Sequence, residues 1–155
     1  TQTFYMALAL SVGSLAYGPL DRLVDSRKRV VMSGNIVVAL ACAMLAFAMP
    51  QQVWVVSALL VTIGFFGASY AVQLAHGRAF IPPHLIGRGV TLMNFLSIGG
   101  FGLMQFVSGA VVEQSAVQGD PAAAYRALFL LYTLSVCGAL AAYSFSRDVR
   151  PSRQG

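Results

Sequence analysis

Residues 30–77 read VVMSGNIVVALACAMLAFAMPQQVWVVSALLVTIGFFGASYAVQLAHG, a stretch with no Asp, Glu, Lys or Arg. A helix rises 1.5 Å per residue and a bilayer's hydrocarbon core is about 30 Å thick, so about 20 residues make one crossing. This stretch is long enough for two. It breaks at Met49-Pro50-Gln51-Gln52, where a proline and two amides suit a tight turn at headgroup depth.

Further uncharged runs cover residues 1–20, 89–112 and 127–146. Together they predict an all-α, polytopic transmembrane helix bundle with five spans, at about 2–20, 30–49, 53–75, 89–112 and 125–146, followed by a cytoplasmic tail at 147–155. Composition agrees: 57% of the 155 residues are apolar and 10% are charged, against about 25% charged in soluble domains. A mean hydropathy of +0.73 points to lipid as the solvent.

The first run has no basic residue ahead of it and a charged segment after it, so it reads as a crossing rather than a cleaved signal peptide. The chain enters that crossing almost at once from Thr1, and further sequence is expected upstream. The net charge of +5 does not indicate nucleic acid, because the ten basic residues fall in short clusters rather than a phosphate-binding stripe. Cys42 and Cys137 lie among apolar residues without metal-ligand spacing, and no metal or cofactor is expected.

Lys and Arg of short loops stay on the cytoplasmic side. Arg22, Arg27, Lys28, Arg29, Arg78, Arg88, Arg147, Arg150 and Arg153 all fall on one side of the five spans, and Arg126 alone falls on the other. The expected topology therefore has the amino end outside and the carboxyl end in the cytoplasm of, by expectation, a bacterial inner membrane.

The first basic segment reads Gly18-Pro19-Leu20-Asp21-Arg22-Leu23-Val24-Asp25-Ser26-Arg27-Lys28-Arg29. A glycine at a helix end permits close packing or a left-handed cap, an aspartate near the next helix's amino end is favoured by its dipole, and the arginines can pair with acids or carbonyls. Two readings stand: a latch between helices made by Gly18, Asp21, Arg22, Arg27 and Lys28, or plain positive-inside anchors. The segment resembles the cytoplasmic loop signature of the major facilitator superfamily, Gly-x-Leu-x-Asp-Arg-x-Gly-Arg-Lys, with Val24 near the place of the second glycine and Arg27-Lys28 one residue late.

The resemblance implies helices eight to twelve of a twelve-helix transporter, the amino-terminal half being the missing partner of the same chain. It implies a secondary active transporter that moves a small solute by alternating access, with the first, third and fourth spans around the substrate cavity and the second and fifth toward lipid. The alternative is a membrane-embedded permease or assembly subunit that works with a partner protein. Enzyme signatures are absent from the sequence, and no enzymatic activity is expected.

Polar residues within hydrocarbon are costly and face protein or a wet cavity. Tyr70 and Gln73 in the third span and Asn94 and Gln105 in the fourth are the candidate substrate contacts, Gln105 foremost by its depth; the competing reading is hydrogen bonding within and between helices. Asn35, in the second span, reads as structural. Gly64 with Ala68, Ser14 with Gly18, and Ser108 with Gly99, Gly100 and Gly102 supply small faces for close helix packing or, at Gly99-Gly100, a bend. His76 and His84 read as interfacial or solvated residues.

Overall fold

A chain with long apolar runs must satisfy its backbone groups internally if lipid is its solvent, and helices do this segment by segment. The computed structural model describes residues 2–116 and 121–148, which form helices α1 (Gln2–Val24), α2 (Arg27–Phe47), α3 (Val53–Gly67), α4 (Tyr70–Arg78), α5 (Ile86–Ala116) and α6 (Pro121–Ser144), with a single 3-10 turn at Pro83–Leu85 leading into α5. No strand occurs among the described residues. Among the described residues five stretches are long and apolar enough to cross a membrane: Gln2–Leu20, Arg27–Phe47, Val53–Arg78, Pro83–Ser115 and Ala122–Ser144.

The third stretch is two helices rather than one. Between α3 and α4, Ala68 N–H donates to Phe65 O at 3.3 Å, Ser69 N–H to Phe66 O at 3.2 Å and Ala71 N–H to Ala68 O at 3.2 Å. These i to i−3 bonds tighten the chain and redirect it, a usual cause of a break inside a long helix. Hydropathy carries no mark of it, because Gly67-Ala68-Ser69 is as uncharged as its surroundings.

The first basic segment is mostly helix, contrary to its reading as a loop. α1 continues through Gly18, Asp21 and Arg22 to Val24, and only Asp25 and Ser26 separate it from α2. Asp25 has φ 48, a left-handed conformation that a short polar side chain tolerates. Ser26 then caps α2, its backbone extended at φ −158 and its Oγ accepting from Arg29 N–H at 3.2 Å. At the other turn Met49 takes φ 40, ahead of Pro50, which ends α2 in the same way.

α2 is the most enclosed of the five stretches, half of its apolar window being buried. It runs along α6 on one side and α3 on the other, and α3 in turn carries α1. A small core of Tyr17, Val30, Val31, Ala68 and Val72 joins α1, α2, α3 and α4, with Phe66 and Tyr143 packed against it. The second span therefore sits centrally within the described bundle, whereas the resemblance placed it toward lipid.

Small residues set the α1–α3 crossing. A Cβ at Gly13 would meet Phe65 O and lie 2.9 Å from Ala68 Cβ, and one at Gly64 would lie 2.5 Å from Met6 O. Gly64 on α3 and Ala68 just past its end thus receive α1 closely, as small-residue interfaces do in lipid. Gly18 is different: a Cβ there meets nothing within 4 Å, and the same holds for Gly99, Gly100 and Gly102. The close-packing role expected of Gly18 belongs to Gly13, five residues earlier on the same helix.

Gly13→Leu should destabilise the protein by about 1–3 kcal/mol through overpacking, whereas Gly18→Ala should leave stability within about 0.5 kcal/mol. Thermal unfolding of the two variants in the same detergent checks the contrast; equal effects would mean that the crossing is not where α1 is held.

Candidate functional site

Two helix ends meet at the basic end of the bundle, and each carries the charge that suits the other. Helix amino ends favour anions and carboxyl ends favour cations, because unpaired N–H and C=O groups concentrate there. At the start of α2 the Asp148 carboxylate accepts from Lys28 N–H at 3.2 Å and from Ser26 Oγ–H at 2.7 Å. At the end of α6 the Lys28 ammonium donates to Ser144 O at 2.6 Å and Ser146 O at 2.7 Å. Lys28 thus takes part from both its backbone and its side chain.

His76, near the end of α4, closes the same cluster. It is 2% exposed, so it is not the solvated residue that its sequence position suggested. Its Nε2 lies 2.9 Å from Arg147 O and its Nδ1 is within hydrogen-bond reach of the Tyr143 hydroxyl. A carbonyl only accepts, so Nε2 carries the proton; in the neutral ring Nδ1 then accepts from the tyrosine hydroxyl. Phe80 and Tyr143 pack edge-on to the ring, at centroid distances of 5.2 and 5.4 Å. His84 is exposed.

The anticipated latch residues divide. Lys28 makes the contacts above, and Arg27 donates to Ala75 O at 3.3 Å. Gly18 is exposed in mid-helix. Asp21 and Arg22 lie in α1, and their side chains fall outside the described residues. The aspartate expected at the α2 amino end is supplied by Asp148, from beyond α6. Its sequence signal was weak: a single acid among the basic residues of a tail, with no periodicity to place it.

The candidate cavity residues gather along α4 and α5. Tyr70 packs against Phe101 of α5, the rings tilted at 58° with a centroid distance of 5.8 Å. Asn94 lines an open cavity of about 850 Å³ between the start of α2, the end of α4 and the start of α5. Gln105 lies eleven residues beyond Asn94, three helical turns, and so on the same face of α5 as Asn94 and Phe101. Gln73 on α4, Asn94 and Gln105 are exposed.

Most other polar side chains of the spans bond their own backbone. Ser11, Ser14, Thr62 and Thr91 each donate to the carbonyl four residues earlier, and Asn35 Nδ2 donates to Val31 O at 2.9 Å. Such bonds remove the cost of burying a hydroxyl or amide and leave little to offer a ligand. Ser108 also accepts partners across helices, lying 3.1 Å from the Tyr132 hydroxyl of α6. Cys42 is buried in α2 and Cys137 is exposed on α6, both as free thiols.

Compared with protein families, curated proteins and solved structures, the chain matches none. The chemistry of the two sites therefore rests on their residues: a reciprocal cap that ties three helix ends together, and a cavity lined by the Asn94 amide and the Arg27 and Arg78 guanidiniums.

Asp148→Asn and Lys28→Met should each lower stability by about 1 kcal/mol, the scale of a partly exposed charge at a helix end. Because both charges serve one junction, the double variant should lose less than the sum, as a double-mutant cycle by thermal unfolding would detect. Tyr143→Phe, which leaves the neutral His76 acceptor unfilled, should cost about 0.5–1.5 kcal/mol. Strict additivity of the Asp148 and Lys28 variants would show two unrelated surface contacts.

Proposed function

We propose that the chain is part of a secondary transporter of the major facilitator type, with its basic end in the cytoplasm, moving a small solute along the groove between α4 and α5. The observation that carries this reading is the line of Asn94, Phe101 and Gln105 on one face of α5, with Tyr70 of α4 against Phe101 and Asn94 in the cavity wall. Exposed polar groups on a face that α4 meets at few points are free to exchange water for substrate. Asn35, bonded within its own helix, is not.

Two further features support the proposal. The break between α3 and α4 puts a redirected backbone beside that groove, and discontinuous helices flank the binding sites of many transporters. Residues 18–28, with the family-like motif, cover the last turns of α1, the two-residue link and the start of α2, at the end where Lys28 and Asp148 join helix ends. A polar junction of this kind can be made in one conformational state and broken in another, which is what rocking between two states requires.

The full-length protein, reconstituted in vesicles and offered a panel of solutes, tests the proposal. Gln105→Ala or Asn94→Ala should shift apparent affinity by a few-fold, the value of one hydrogen bond at about 0.5–1.5 kcal/mol. Asn35→Ala at matched expression should leave the solute profile unchanged. Accumulation of no solute across the panel, or a profile altered by Asn35→Ala alone, would overturn the assignment of the groove. In a background lacking Cys42 and Cys137, an impermeant thiol reagent applied outside cells should label Gln114→Cys and spare Arg29→Cys; the reverse would invert the orientation.

A further inference from the structure

The cavity of about 850 Å³ at the basic end is lined by the end of α4, the linker after it and the start of α5, with Arg27 of α2. Its wall is chiefly apolar, with Leu74, Ile81, Ile86, Val90 and Met93 among its side chains. Three polar side chains interrupt it. Arg27 already donates to Ala75 O. Arg78, the last residue of α4, is exposed and makes no hydrogen bond or ion pair among the described residues, so it is the guanidinium open to a ligand. Asn94 adds one neutral amide, and no Asp or Glu lines the cavity among the described residues.

Each class of solute meets this wall differently. An amine finds no counter-charge. A polyol carries several hydroxyls, and a wall whose one neutral polar side chain is Asn94 leaves most of them unpaired, at a cost for each. An inorganic anion uses Arg78 and leaves the apolar wall in water. A compact organic anion uses both: its head accepts from the guanidinium, whose planar fork suits a carboxylate, and its body displaces water from the wall. Ile81 and Ile86 stand at the same end of the helices as Arg78, so head and body are received side by side rather than in succession across a leaflet.

We infer that this cavity binds an amphipathic organic monoanion, a carboxylate with an apolar body, and that solutes of this class are what the protein moves. The second half rests on the transport reading above; binding itself does not. The volume lies within the usual range of about 300–1,000 Å³ for small-molecule sites. The same chemistry reaches the cavity from water, as a short aryl or branched-chain carboxylate, or from the bilayer, as a fatty acid.

The test uses the full-length protein in nanodiscs of phosphatidylcholine, with labelled phenylacetate measured by equilibrium dialysis against empty nanodiscs. Phenylacetate should bind about ten-fold more tightly than acetate, which lacks the body, and about five-fold more tightly than phenylacetamide, which lacks the charge. Arg78→Gln should lower phenylacetate affinity about five-fold and abolish the preference over the amide, Arg78→Lys should keep part of it, and Val90→Thr, of the same shape, should lower affinity about three-fold. Arg88→Gln removes a charge at the start of α5 but outside the cavity, and should leave binding intact. Displacement by benzoate and not by palmitate assigns the water-borne source, and displacement by palmitate assigns the membrane-borne one. Three results would overturn the inference: equal affinity for phenylacetate and phenylacetamide, phenethylammonium bound as tightly as phenylacetate, or equal losses with Arg88→Gln and Arg78→Gln. Should Arg78→Gln fail to fold, the ligand series on the natural protein and Val90→Thr decide. Vesicles that take up other solutes and exclude phenylacetate would overturn the substrate class alone, whereas binding without uptake of any solute would uphold the site and overturn the transport reading.

Discussion

The exchange of charge between Asp148 at the start of α2 and Lys28 at the end of α6 fixes how the outer helices stand. α6 makes its extensive contacts with α2 and α5, and its apolar window contributes no buried residue. Contacts between smooth apolar surfaces are non-directional and permit a helix to slide along its neighbour. Hydrogen bonds at 2.6 to 3.2 Å from Ser26 and Lys28 do not permit it. The junction contributes modestly to stability, since its charges are partly exposed, yet it sets the register of the most extensive helix pair. His76 extends the constraint to α4 by holding Arg147 O and Tyr143 from a buried position.

α5 follows from that register, because its main packing partner is α6 and it meets α4 at few points. One of these points is Tyr70 on Phe101, and another is Met93, whose Cε occupies the space that a Cβ at Gly77 would fill. Between such touches the helices diverge, and the cavity at the basic end opens there. A shift of α6 by one turn, about 5.4 Å, would carry α5 with it and separate Asn94 from Arg27 and Arg78. The cap and the groove are therefore linked by geometry.

Much of this architecture was legible in the residues and part was not, for physical reasons. Charge-free runs mark apolar helices because a charge within hydrocarbon is costly, so the five long stretches follow directly from the sequence. The break at Ala68-Ser69 left no trace, since it depends on i to i−3 backbone bonds that every residue but proline can donate. Gly13 and Gly18 are equivalent in composition, and only the rotation of α1 about its axis decides that Gly13 meets Phe65 and Ala68 while Gly18 faces open space. Asp148 was hidden for a related reason: its partner lies more than a hundred residues away, and no local pattern announces a contact of that range. Asn94 could be singled out as a polar residue in an apolar helix, but its neighbours Arg27 and Arg78 come from two other helices.

The remaining exposure on α5 has an orderly pattern. Leu92, Phe95, Leu96, Leu103 and Phe106 recur at helical spacing and form one apolar face, with Phe95 71% and Phe106 76% exposed. Met93, Ser97, Met104 and Ser108 are partly or fully covered and form the packed face. Asn94 and Gln105 lie roughly opposite the apolar face, flanked by Ile98 and Phe101. A helix of a water-soluble bundle would not leave so many large apolar side chains open, and a helix surrounded by lipid on every side would not carry two amides along one line. An α5 with lipid against Phe95 and Phe106 and a wet or protein-lined space against Asn94 and Gln105 meets both constraints at once.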